Sequence, residues 1–250
     1  MKCDVKCLAA SGGLLLALLG AEMAFSQVAA PSGNDAPKQL NVSRYDETAR
    51  GIDAPMYAYY AQKIKDTTGI TKGVCLDAGS GGGYMGLALA KITDLHFIFL
   101  DISPSALEKA KQHIVEDGLQ NRATTLLADV QNIPLADGSV NLVISRGSIP
   151  FWKDPAKGLE EIYRILAPGG KAYVGGGRGT PEIQAQIAAK RKELGMDSPG
   201  WPGPNGSQGG THHGLGGIPQ RDYEAILKST GIKNYSITRG DDGMWIQMWK

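Results

Sequence analysis

Cysteine is scarce in this 250-residue chain: three occur, and two of them, Cys3 and Cys7, lie at the extreme N-terminus. No disulfide framework is implied. Cys75 stands alone in the apolar run Gly73-Val74-Cys75-Leu76 and reads as a buried strand residue, because a thiol among apolar neighbours packs as a small hydrophobe. An excess of one charge sign is also missing. The 26 Lys+Arg and 25 Asp+Glu leave a formal net charge of +1, with no long block of like charges. That balance argues against nucleic acid or an anionic membrane surface as partner. No segment reaches the roughly 20 apolar residues that a bilayer span requires, so no stable membrane anchor is expected. What is present is 42% hydrophobic and 20% charged, enough for one sizeable core. Glycine is abundant, at 34 residues, and it clusters instead of repeating every third position as in collagen.

The first 26 residues read as a secretory signal peptide. Lys2 and Lys6 precede an apolar stretch from Cys7 to Gly20, and small residues follow around Ala24-Phe25-Ser26, where the cut is expected after Ser26. A buried N-terminal helix is the alternative, weakened by Gly12-Gly13 and by the lack of a polar face. Residues 27–43, rich in Ala, Pro, Ser, Gly and Asn, read as a flexible leader before a domain spanning 44–250. If the signal is used the protein is exported to the periplasm or beyond; otherwise it is cytoplasmic.

Within that domain, short apolar runs alternate with helical spacing. Pro55 to Ile64 predicts a helix stopped near Gly69, and an apolar run ends at Asp77 before a glycine-rich turn and a helix from Tyr84 to Lys91. The unit repeats: Phe97 to Leu100 ends at Asp101, and Ser103-Pro104, a capping residue followed by the residue favoured at the first helical position, opens a helix to about Glu116. Strands are predicted at 124–127, 140–145 and 171–174, and helices at 155–166, 181–194 and 221–229. Tyr235-Ser236-Ile237-Thr238 and Met244 to Trp249, separated by Gly240-Asp241-Asp242-Gly243, predict a terminal hairpin. Continuous apolar strands alternating with helices call for an α/β fold with a doubly wound, mostly parallel, Rossmann-like sheet. A Gly/Pro-rich loop, 195–219, carries His212 and His213.

In such sheets ligands bind at the carboxyl ends of the strands, and the first strand-to-helix turn approaches them most closely. Here that turn is Asp77-Ala78-Gly79-Ser80-Gly81-Gly82-Gly83. A carboxylate immediately before the glycines suits a cationic group such as an α-ammonium and would sit badly beside a pyrophosphate, which wants bare N–H groups. A second register, Gly81-Gly82-Gly83-Tyr84-Met85-Gly86, fits the dinucleotide pattern G-x-G-x-x-G, but four residues then separate the first glycine from the strand's last apolar residue. Asp101, at the next strand end, can accept from ribose hydroxyls, and Asp129 from an exocyclic amine. Any one of these acids could be a cap or turn residue. Three at successive strand ends point to a nucleoside ligand.

These motifs resemble the class I S-adenosylmethionine-dependent methyltransferases, in particular those acting on small molecules. Val74 to Gly83 is similar to the family's D-x-G-x-G-x-G motif and Leu100-Asp101-Ile102-Ser103 to its ribose-binding strand end. Ala128 to Val140 is similar to the approach to the fourth strand, and Glu161 to Gly170 to the helix and turn before the fifth. The resemblance implies a seven-stranded sheet whose last two strands are the antiparallel hairpin, with S-adenosyl-L-methionine as cofactor. Asp77, Gly79 and Ser80, with Ala78 and Gly81 completing the loop, would surround the methionine moiety. Asp101 and Ile102 would meet the ribose and adenine, Asp129 and Val130 the adenine edge, and Arg146 the cofactor's substrate-facing side. Asn141 departs from the family's usual Asp and is expected to alter a surface contact. The loop after the fourth strand lacks the N-P-P-Y motif of enzymes that methylate nucleic-acid amines, so a small-molecule acceptor is expected.

Candidate substrate contacts are Tyr45, Trp152, His212 and His213, with core packing the alternative for Trp152 and a solvated loop role for the His pair. His96 and His113 read as structural, and no metal site is expected. Two other functions compete with a methyltransferase that works by in-line displacement. One is an exported protein that binds the nucleoside or S-adenosylmethionine and transfers nothing; the other is an NAD(P)-dependent oxidoreductase. The sequence does not give the oligomeric state.

Overall fold

The structure, a computed structural model, describes residues 46–196 and 221–250, all within the unit Asp35–Lys250. The signal segment, the leader, Tyr45, His212 and His213 lie outside the described residues. A π-helical turn, Thr48–Ile52, leads into helix α1, Ala54–Thr68, with Pro55 in its first turn. The buried side chains Met56, Tyr57, Tyr60, Ala61 and Ile64 fall on one side of α1 because their spacing follows the helical period. Strand β1 is Lys72–Ala78, α2 Tyr84–Ala90, β2 Asp94–Asp101 and α3 Pro104–Glu116, where the Ser103 hydroxyl accepts from the Ala106 N–H at 3.3 Å as expected of its cap.

Strand β3, Ala123–Leu127, and β4, Val140–Arg146, precede α4, Pro155–Ile165, which is capped by Asp154. Strand β5 is Leu166–Gly176 and α5 is Pro181–Glu193, followed by α6, Tyr223–Ser229, β6, Tyr235–Gly240, and β7, Gly243–Trp249. β5 therefore begins five residues earlier than the expected start at Lys171. Val140 pairs with Leu166 and Leu142 with Lys171, so the turn Ala167-Pro168-Gly169-Gly170 bulges out between two paired positions.

The seven strands lie in the order β3-β2-β1-β4-β5-β7-β6. β1 to β5 are parallel, whereas β7 is antiparallel to both β5 and β6. A seven-stranded, doubly wound sheet closed by an antiparallel hairpin is the fold expected from the sequence. Because side chains alternate along a strand, each central strand feeds both faces: Leu142 and Ile144 join one core with Tyr60, Ile64 and Ala110, while Val143 joins the other with Leu159, Ile162 and Leu227. Burying one such Leu or Ile fully is worth about 1.5–3 kcal/mol. Cys75 is wholly buried, and burial pushes its thiol well up. The two flanks of β1, β2 on one side and β4 on the other, make it the switch point, where the loops leaving the strand ends diverge.

Candidate functional site

The β1–α2 turn is held under β2 by its own backbone. Gly79 N–H and Ser80 N–H both donate to Leu100 O, at 2.8 and 2.9 Å, so the loop crosses the tip of β2. Gly79 has φ +70°, and a Cβ there would stand 2.4 Å from the Ser148 Cβ. Gly81 has φ +56° and nothing within 4 Å of its would-be Cβ. One glycine is thus demanded by packing from below, and the other leaves main chain bare toward open space.

Asp101 locks this arrangement. One carboxylate oxygen accepts from Gly81 N–H at 2.8 Å and the other from Ser103 N–H at 2.9 Å. Burial raises its pKa, opposed by those bonds. Beside it, Ile102 is 59% exposed, an apolar face at the strand tip that suits a flat ring. Asp77 lies beneath the loop: it is 1% exposed and accepts from Gly86 N–H at 2.9 Å, and burial lifts its pKa to about 7. Ala78 is buried and Ser80 nearly so.

After β3, both Asp129 oxygens accept from the Gln131 side-chain amide, at 3.0 and 2.9 Å, and one also accepts from Gln131 N–H at 2.8 Å. Val130 is buried. Trp152 is 6% exposed and its indole N–H donates to the Ser148 hydroxyl at 3.1 Å, which is the placement its packing alternative describes. Arg146, at the tip of β4, turns toward α1: its guanidinium lies 5.0 Å from the Tyr57 ring and donates to Gly177 O at 2.8 Å.

Several residues at the site carried no functional signal in the sequence. Ser145 and Ser148 both donate to Ala78 O, at 2.7 and 3.1 Å, tying the end of β4 to the β1–α2 turn. The His113 imidazole, 2% exposed, bridges Gly82 O at 2.7 Å and the Asp46 carboxylate at 2.9 Å, and Tyr84 donates to the same carboxylate at 3.0 Å. Arg164 donates to Ile133 O and Leu135 O, each at 2.8 Å, and pairs with Glu161 and Asp137, so α4 anchors the segment after Asp129. Such contacts join residues far apart in sequence, and no local pattern announces them. Asn141, expected at the surface, instead accepts from Val74 N–H at 2.8 Å and stitches β1 to β4. It does so because Gly73, with no side chain, leaves room for its carboxamide.

A doubly wound α/β protein with an open glycine turn at its switch point is what this fold defines. A methyltransferase-domain family profile matches residues 76–174. A crystal structure reported as an S-adenosyl-L-methionine-dependent methyltransferase from Methanococcus maripaludis is 35% identical, covering 88% of this chain and 97% of that one with a TM-score of 0.71. The 2-methyl-6-phytyl-1,4-hydroquinone methyltransferase 1 of Oryza sativa is 35% identical over 98 residues, 39% of this chain and 28% of the rice protein. The ubiquinone/menaquinone biosynthesis C-methyltransferase of Geotalea daltonii is 30% identical over 52% of this chain and 57% of its own length. These two curated relatives are therefore matched over little more than a quarter and somewhat over half of their lengths. The chain belongs to the class I S-adenosyl-L-methionine-dependent methyltransferase family, and S-adenosyl-L-methionine is the cofactor this implies.

Proposed function

We propose that the protein transfers a methyl group from S-adenosyl-L-methionine to a small-molecule acceptor by in-line displacement. The observation that carries this reading is the Asp101–Gly81 contact: a carboxylate clamps bare main chain beside an exposed apolar residue, Ile102, and its remaining lone pairs can serve two vicinal hydroxyls. The turn leaves room for such a group, since a Cβ at Gly81 would meet nothing within 4 Å. When bound, S-adenosyl-L-methionine supplies an electrophilic methyl whose carbon–sulfur bond breaks as the acceptor's lone pair forms the new bond, leaving S-adenosylhomocysteine. The chain's contribution is to hold donor and acceptor in line and to exclude water, and a general base is needed only for an acceptor that arrives protonated. The Oryza and Geotalea relatives are named for small-molecule methylation, which supports the same acceptor class here.

Calorimetry with S-adenosylhomocysteine tests the cradle. Binding is expected for the wild type and at least a hundredfold weaker binding for Asp101→Ala, whereas a folded wild type that does not bind removes the proposal. Mass spectrometry of products from thiols, phenols and carboxylates then separates transfer from mere binding.

A further inference from the structure

His113, which reads as structural in the sequence, is placed by the fold where it meets an acceptor on each side. It lies on α3 and is 2% exposed. Its Nδ1 stands 2.7 Å from Gly82 O in the β1–α2 turn, and its Nε2 stands 2.9 Å from the Asp46 carboxylate, in the segment leading into α1. The helical donor for Gly82 O would be the N–H four residues on, at Gly86, which is instead given to Asp77 at 2.9 Å, so His113 takes its place. The adjacent Gly81 N–H is held by Asp101 at 2.8 Å. The turn is thus gripped at neighbouring residues from β2 and from α3.

Carbonyl and carboxylate oxygens only accept, whereas a neutral imidazole offers one donor and one lone pair. A neutral ring could serve Gly82 or Asp46 but would turn its lone pair on the other. The imidazolium serves both. A proton on Asp46 would be the alternative, yet that carboxylate is furnished for its charge: Tyr84 donates to the same oxygen at 3.0 Å, and Lys109 Nζ lies 3.7 Å from the other. Further along α3, Arg50 pairs with Glu116 and Asp117, and Lys91 lies 3.9 Å from Asp117, so those charges close among themselves.

We propose that His113 is a positioning residue for the cofactor turn: as an imidazolium it latches the segment before α1 to Gly82 O, so the cofactor binds most tightly while His113 holds both protons and more weakly as it loses one. This rests on the glycine turn being the cofactor cradle. Because coupling is reciprocal, binding at a pH where His113 is partly deprotonated draws a proton from solution.

Calorimetry of the full chain with S-adenosylhomocysteine, at about pH 5.5 and 8 and in buffers of different ionisation enthalpy, tests the latch. Between those values the wild type is expected to lose at least about fivefold more affinity than His113→Gln, which keeps a neutral donor for Gly82 O. Proton uptake on binding should be larger in the wild type than in that variant. Asp77, whose pKa is about 7, is present in both proteins, so the difference between them reads His113. Asp46→Asn removes the counter-charge and leaves Gly82 O its donor, which keeps the test open if His113→Gln does not fold. In nitrogen-15 spectra of labelled histidine it should make one histidine titrate at lower pH, and it should flatten the affinity profile as His113→Gln does. Equal pH dependence in the wild type and the variants, or no histidine signal displaced by Asp46→Asn, overturns the latch. A wild type that binds no S-adenosylhomocysteine at either pH instead removes the cradle, and the latch as a cofactor device with it, whatever the histidine spectra show.

Discussion

At Gly79 two independent constraints meet, a positive φ and a hydroxyl-bearing neighbour directly under the position of a Cβ. Gly79→Ala must strain the backbone and push Ser148 away from Ala78 O, breaking one of the ties between β4 and the loop. A loss of about 1–3 kcal/mol in urea unfolding is expected. S-adenosylhomocysteine affinity should fall with it; unaltered stability and binding would show that the loop adapts freely. Asp77 titrates in the opposite sense to an ion-paired carboxylate. Its folded-state pKa of about 7 exceeds its ordinary 3.8, so between those values the folded chain keeps a proton that the unfolded chain has released. Its contribution to stability is complete below about pH 4, falls as pH rises, and is gone above about pH 7. Asp77→Asn retains an acceptor for Gly86 N–H and should flatten that slope, a difference readable from unfolding curves taken at several pH values. An unchanged slope would place the titration elsewhere.

Whole elements depend on a few cross-links of this kind. α4 carries Arg164, which fastens the 129–139 segment through two carbonyls and the Asp137 carboxylate and pairs with Glu161 on its own helix, while 30% of its side chain stays in water. Replacing it with Met keeps the volume and removes the donors. We expect a loss of about 1–3 kcal/mol, since charged hydrogen bonds to carbonyls are lost while solvent screens the ion pairs. Hydrogen exchange should rise at Ile133, whose N–H is held by Glu161, the partner of Arg164. Exchange unchanged at Ile133 would mean that Glu161 suffices alone. α1 has a comparable role at the other end of the sheet: Tyr59, Tyr60 and Lys63 all engage Asp242 in the β6–β7 turn, and burial together with that carboxylate pushes the Tyr59 hydroxyl up to about 12.

On the scale of the molecule, the cradle is assembled from loops whose only shared feature is the sheet that ends beneath them. A ligand that binds the folded state alone stabilises it by about 2.7 kcal/mol at a hundredfold excess over Kd. For a chain of this size that corresponds to a rise in Tm of roughly 5–10 °C. S-adenosylhomocysteine should produce such a rise in differential scanning fluorimetry and reduced nicotinamide dinucleotide should not. A rise with the dinucleotide alone would favour the G-x-G-x-x-G register over the acid-before-glycine one.

The α/β class, the helix caps at Ser103 and Asp154, the terminal hairpin and the acids at the strand tips were all legible in the chain, because each rests on periodicity, capping chemistry or a turn residue acting within a few positions. The five-residue extension of β5 was not, since a bulge depends on which residues Val140 and Leu142 find opposite them. Nor were the burial of Asp77, the Gln131 clamp on Asp129, the His113 bridge or the turn of Arg146 onto α1, each defined by partners that only the packed sheet brings close. Hydrophobic pattern and turn chemistry are short-range and so are written along the chain. Desolvation and charge balance are sums over neighbours in space, and tertiary structure alone decides who those neighbours are.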